Sequence, residues 1–166
     1  MTTQFEFDSG NDVASGHTLA PVASAALFEA FREMILVHGR MMLHESDVLE
    51  MGATDIRALF FISEIGESST PKQIADALGL STGATTSLVD RLVEAGTIER
   101  SAHPTDRRSV LLHLTLSGHR AVKTVRDLYQ SALATSVPAE SADMVARVFH
   151  SLAQTLAGTI DRPEKS

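Results

Sequence analysis

The side chains of this 166-residue chain with the clearest chemical purpose lie between Thr70 and Thr115, and what they can do is bind rather than make or break bonds. Ser81 stands beside the exposed start of an expected helix, one side of which carries Thr82, Gly83, Thr86, Ser87 and Asp90. At 100° per residue they lie opposite Leu88, on a small and polar face with room around it. Hydroxyls on such a face bond phosphates or base edges, and their methyl and methylene groups touch thymine methyls. Thr85 completes the hydroxyl-rich run and belongs to the same candidate set. Arg91 sits on the flank of the helix, where phosphate is its natural partner.

A second cluster follows at His103-Pro104-Thr105-Asp106-Arg107-Arg108. Adjacent arginines on a tight polar turn suit a narrow minor groove, where the negative potential is deepest. Arg108 is the candidate for the groove and Arg107 for the backbone. A carboxylate beside them would weaken phosphate attraction, so Asp106 is assigned to orienting Arg108 by a charge-assisted hydrogen bond.

The elements that must position these groups are legible from local signals. Thr70 caps a helix with Pro71 at its first position and Gln73 completing a capping box, and Gly79 supplies the left-handed stop. Ser81 caps the next helix, whose apolar face is expected at Ala84, Leu88, Leu92 and Ala95, with Gly96 ending it. Two strands, Thr97 to Ala102 and Ser109 to Leu114, flank the arginine turn. A short helix, a turn, a second helix with a small polar face and then a basic hairpin make a winged helix-turn-helix, whose second helix enters the major groove.

Asp106, Arg108, Leu114 and Thr115, spaced D-x-R-x-x-x-x-x-L-T, resemble the signature of the MarR family of winged-helix transcription regulators. The resemblance extends over Ile74 to Ser81, Leu88 to Arg100 and Leu114 to Gly118, with several independent segments in the right order. His103 stands where the family often carries an acidic residue. The resemblance implies a homodimer, control of transcription in a cytoplasmic setting, and repression released by a small, often phenolic or aromatic, effector. Such an effector would sit between the dimerisation helices and the DNA-binding lobe, where His38, Met42, Arg57 and Phe60 are the candidates to line its pocket.

Composition bounds the alternatives. There are no cysteines, which removes disulfides, thiolate-bound zinc and thiol-based peroxide sensing. No apolar run is long enough to span a membrane, and the N-terminus has no secretory pattern. The net charge of -7 argues against a nucleic-acid partner until it is divided along the chain. Residues 1–69 hold eleven acids and three bases, whereas residues 70–115 balance five of each, so the acid lies mainly away from the expected DNA face.

The expected fold is mainly α with a small β-hairpin wing. Residues 1–17 read as a flexible acidic arm, 18–162 as one domain and 163–166 as a tail. Within the domain, 54–115 form the winged-helix lobe and 18–50 and 116–162 form dimerisation helices. A stripe from Leu27 through Phe31, Met34, Ile35, His38, Met41 and Met42 marks the first of these. Thr54 is the expected cap of the helix Asp55 to Glu64, and Thr115 of the helix after the wing. Beyond Pro138, apolar residues from Met144 to Ile160 mark the last helix. Together these ends carry more apolar surface than a compact winged helix needs, as expected for packing against a second copy. Twofold symmetry would then set the recognition helices roughly 34 Å apart on a pseudo-palindromic operator.

No G-x-S-x-G elbow, phosphate-binding glycine loop or H-E-x-x-H set is present, so no catalytic residue, metal ligand or cofactor is assigned and the chain is not read as an enzyme. The rival functions are a metal-responsive regulator using His38, His44 and neighbouring acids, and a winged-helix protein-interaction module that does not read DNA.

Overall fold

Local caps decide where the helices begin. In the structure, a computed structural model describing residues 21–66, 69–105 and 109–160, Thr70 accepts a hydrogen bond from the Gln73 amide at 3.3 Å, while the Gln73 side chain accepts one from the Thr70 amide at 2.8 Å. The expected capping box is in place, and it starts α3 (Pro71–Leu78). Gly79 ends that helix at φ 66°, in the left-handed region that glycine enters without steric cost. Ser81 accepts from the Ala84 amide and starts α4 (Thr82–Glu94).

The helix before them, α2 (Ala53–Ile65), starts earlier than the sequence suggests. Its cap is Gly52, not Thr54: the Gly52 amide donates to the Asp55 carboxylate at 3.2 Å, so an acid in the first turn satisfies a donor that has no partner within the helix. After α4, strands β1 (Ile98–Ala102) and β2 (Val110–Leu114) pair antiparallel with Ile98 opposite Leu114 and Ala102 opposite Val110. The Leu112 amide also donates to the carbonyl of the fully buried Ser69 at 2.8 Å, which ties the chain just before α3 to the hairpin's second strand.

Thr115 caps α5 (Leu116–Ser136), a short 3-10 turn covers Ala139–Ser141, and α6 spans Ala142–Ile160. The chain forms two compact units, one up to Leu43 and one from His44 onward, and the boundary falls inside α1 (Pro21–Val48). The core of the second unit is built from Ala58, Leu59 and Ile62 of α2, Ile74 of α3, Leu88, Val89 and Leu92 of α4, Ile98, Leu112, and Ala121 and Val122 of α5. Each large apolar side chain so buried contributes about 1.5–3 kcal/mol relative to exposure.

The inward face of α4 is turned from its expected position. Ala84 and Ala95 are exposed, while Thr85 and Val89 join Leu88 and Leu92 in the interior. The larger Val89 side chain excludes more water than either alanine, and this decides which way the helix rolls.

The junction between wing and α5 is closely packed. The Thr115 amide donates to the Thr97 carbonyl at 3.0 Å and the Thr115 hydroxyl to the Gly96 carbonyl at 2.6 Å. Gly118 lies so close beneath that a Cβ there would fall 2.1 Å from the Thr97 oxygen. The L-T-L-S-G run therefore has a mechanical meaning: its threonine clamps the start of the wing, and its glycine lets α5 approach the clamped backbone.

Two apolar faces lie open in the single chain. On α1 Leu27, Phe28, Met34 and Ile35 are exposed, and on α6 Met144, Val148, Phe149 and Leu156. Among the described residues no helix is long and apolar enough to cross a membrane.

Candidate nucleic-acid interface

Ser81, Thr82, Gly83, Thr86 and Ser87 are all exposed at the start of α4, as the polar-face argument requires. The Thr86 hydroxyl donates to the Thr82 carbonyl at 3.0 Å, which fixes its rotamer and leaves its oxygen to accept from an outside donor. Thr85 departs from the expectation. Its side chain is 3% exposed and its hydroxyl donates to the Ser81 carbonyl at 3.0 Å, so it packs beneath the helix and is removed from the base-contact set. The reason is angular, because Thr85 is one turn from Leu88 and Val89 and follows them inward.

Arg91 is exposed but engaged. Its Nη2 donates to Asp55 Oδ1 at 2.6 Å, and the Asp55 side chain is only 10% exposed. The hydrogen bond and the charge of Asp55 both raise the Arg91 pKa above its ordinary value. The remaining guanidinium N–H groups are not used in that bond, and the 55% exposed side chain can offer them to a phosphate. The pair also ties the first turn of α2 to the third turn of α4.

A second ion pair braces the wing. Arg100 Nη2 donates to Asp90 Oδ1 at 2.5 Å, joining β1 to α4. Alternation along β1 explains it: Arg100 is two residues from the buried Ile98, shares its face of the hairpin, and so meets α4. On the other face Ser101 and His113 form a hydrogen bond of 2.7 Å. The bracing pairs Asp55–Arg91 and Asp90–Arg100 were not expected from the sequence. Asp106, expected to orient Arg108, Arg108 itself, expected in the minor groove, and Arg107, expected on the backbone, lie outside the described residues, as does the segment 1–20 that contains the acidic arm.

Lys72 is a further basic group missed by the sequence argument. It is exposed in the first turn of α3 and lines, with Asp76, Thr82 and Thr86, a cleft of about 420 Å3 between the two helices of the helix-turn-helix. Its signal was available, since the helix preceding a recognition helix runs past the DNA backbone.

The expected effector-contact residues are placed individually as follows. His38 is exposed and Met42 is 8% exposed on α1; Arg57 is exposed on α2, and Phe60 is half-buried against the hydrophobic core. Phe60 is thus largely given over to packing. Among the described residues no group of three or more His, Asp or Glu side chains is placed to hold a metal ion.

Comparison with known proteins gives the same architecture. Residues 50–109 match the MarR family. The uncharacterized HTH-type transcriptional regulator YcgE of Bacillus subtilis is 33% identical over 92 residues, which cover 54% of this chain and 57% of that protein. The chain spans about half the length of the curated relatives it matches. Among solved structures, a MarR family protein from Bacillus stearothermophilus superposes with a TM-score of 0.67 at 22% identity, covering 84% of this chain and 99% of the other. FabT of Streptococcus pneumoniae, solved in complex with DNA, gives a TM-score of 0.63 at 19% identity and covers 80% and 99%. With two helices in helix-turn-helix order and a braced hairpin wing, the chain has the winged-helix fold of these structures, and its residues 50–109 are similar to the MarR family.

Proposed function

We propose that this protein is a sequence-specific DNA-binding transcription regulator, acting as a homodimeric repressor on a pseudo-palindromic operator and released by a small molecule. The observation that carries the reading is the exposed Ser81, Thr82, Gly83, Thr86 and Ser87 face of α4, set beside a wing that Arg100 and Asp90 brace against the same helix. In the docked complex α4 lies in the major groove and these side chains meet bases and nearby phosphates. Lys72 and Arg91 neutralise backbone phosphates on either side, and Arg108, oriented by Asp106, enters the minor groove. The FabT complex supports this use of the fold.

Dimerisation is supported by the open apolar faces of α1 and α6, where Phe28, for example, is 63% exposed. Contiguous apolar surface on this scale marks an interaction site in a soluble protein.

The test is selection of bound sequences from random duplex DNA at two salt concentrations, with the mass in solution measured by sedimentation. An enriched inverted repeat with half-sites about one helical turn apart, bound by a dimer, is the expected result. A monomer, or binding without sequence preference that disappears as salt rises, would overturn the proposal.

A further inference from the structure

A second concave site lies at the opposite end of α4 from its exposed polar start. A cavity of about 430 Å3 opens between the turn after α1, the end of α4 and the first turns of α5. Leu49, Met51, Ala95 and Ala121 give it apolar walls, and Glu50 and Arg120 bring one charge of each sign to its lining. Both charged side chains are exposed, and neither forms an ion pair with any described residue. Most exposed charges are simply solvated, so the backbone at Glu50 matters. It stands at φ 53°, the one described non-glycine residue at positive φ, where glycine would be the default. The left-handed residue closes α1, since the Glu50 amide donates to the Asp47 carbonyl at 3.3 Å and the Met51 amide to the Ser46 carbonyl at 2.9 Å, so a helix cap fixes where the Glu50 side chain starts at the edge of the cavity.

A guanidinium presents a fork that matches a carboxylate, and a carboxylate accepts from an ammonium. Opposite charges on one small, apolar-walled cavity therefore select a zwitterion with an apolar body. We propose that this cavity binds a free L-amino acid with an apolar side chain. Its carboxylate pairs with Arg120, its ammonium with Glu50, and its side chain packs against Leu49, Met51 and Ala121.

The site is wired to the recognition helix at two points. The Ser46 hydroxyl donates to the Met51 carbonyl, the next residue's amide, Gly52, donates to Asp55 Oδ2 at 3.2 Å, and Asp55 Oδ1 accepts from Arg91 of α4 at 2.6 Å. Ala95, in the cavity wall, is the residue that closes α4. An occupant that shifts the turn at 49–52 thus changes how Asp55 holds Arg91, and so biases how α4 meets DNA. The binding itself stands apart from the DNA-reading role, whereas this regulatory consequence rests on it.

Binding is measured by calorimetry on the DNA-free protein, with each standard L-amino acid alone and L-leucine and L-methionine as the leading probes. Isocaproate and isoamylamine serve as leucine analogues lacking the ammonium and the carboxylate. Leucine or methionine should bind with a Kd of about 1 mM or tighter, and each half-ligand about tenfold more weakly or worse. R120Q and E50G should each weaken binding by at least about tenfold. E50G should unfold no earlier than the wild type, because glycine suits that backbone. D55N should bind the amino acid unchanged while its DNA affinity no longer responds to it. No binding by any standard amino acid at about 10 mM, half-ligands that bind as well as leucine, or unchanged affinity in R120Q and E50G would overturn the site. A persisting DNA response in D55N would overturn the route. Amino-acid binding without sequence-selective DNA binding would instead leave the site standing and remove the regulator.

Discussion

Gly118→Ala tests whether the wing is fixed by the clamp at Thr97 and Thr115. The added Cβ would lie 2.1 Å from the Thr97 oxygen, 3.1 Å from its carbonyl carbon and 3.2 Å from a Leu114 methyl. A carbon needs about 3.4 Å from such an oxygen, so α5 must retreat or the Gly96–Thr97 backbone must give. Neither is a flexible side-chain end. Overpacking of this kind costs about 1–3 kcal/mol, and the retreat also stretches the two Thr115 bonds to Gly96 and Thr97, each worth about 1 kcal/mol. The gain in helix propensity on replacing glycine returns up to about 1 kcal/mol. The net expectation is a loss of about 2–4 kcal/mol, a large part of a total stability of about 5–15 kcal/mol. Thermal unfolding followed by circular dichroism should then show a Tm lowered by roughly 5–15 °C. Gly83→Ala is the control, since a Cβ there meets nothing within 4 Å, and its Tm should hold or rise slightly. A Gly118→Ala protein that melts within about 2 °C of the wild type would refute the clamp and the close approach together.

The same Gly83→Ala protein should lose DNA affinity despite its intact fold, because the methyl stands on the face that enters the groove; unchanged affinity in a binding titration would take Gly83 out of the interface. Arg108→Ala should lower affinity by about tenfold with the fold intact, and unchanged binding at physiological salt would remove the wing arginine from the minor groove. Thr86→Ala should change base preference at one position of the selected operator by about 1–3 kcal/mol, whereas a uniform loss across sequences would assign Thr86 to the backbone. Partial burial raises the pKa of Tyr129, the chain's one tyrosine, above its ordinary 10.0. Folding therefore gains from the neutral phenol below that pH and loses the gain as pH rises through the folded value. An ultraviolet titration with its midpoint at or below 10.0 would contradict that burial.

What could be known from sequence was what neighbouring residues settle among themselves. The Thr70–Pro71–Gln73 box, the left-handed Gly79, the Ser81 and Thr115 caps and the two strands of the wing depend on contacts a few residues long, and all appear where local chemistry puts them. The exposed hydroxyl face of α4 follows from helical periodicity for the same reason. Only the tertiary structure could decide matters set by the packing of distant segments. Val89 and Thr85 turn inward and Ala84 and Ala95 outward because α4 rolls to bury the larger side chain. Gly52 displaces Thr54 as a cap because Asp55 serves its amide and Arg91 at once, across a separation of 36 residues. Gly118 is required by a carbonyl 21 positions earlier, and Arg100 reaches Asp90 through the register of a hairpin that periodicity alone does not fix. Periodicity reports which side of an element is apolar; which neighbour meets it depends on how the whole chain closes.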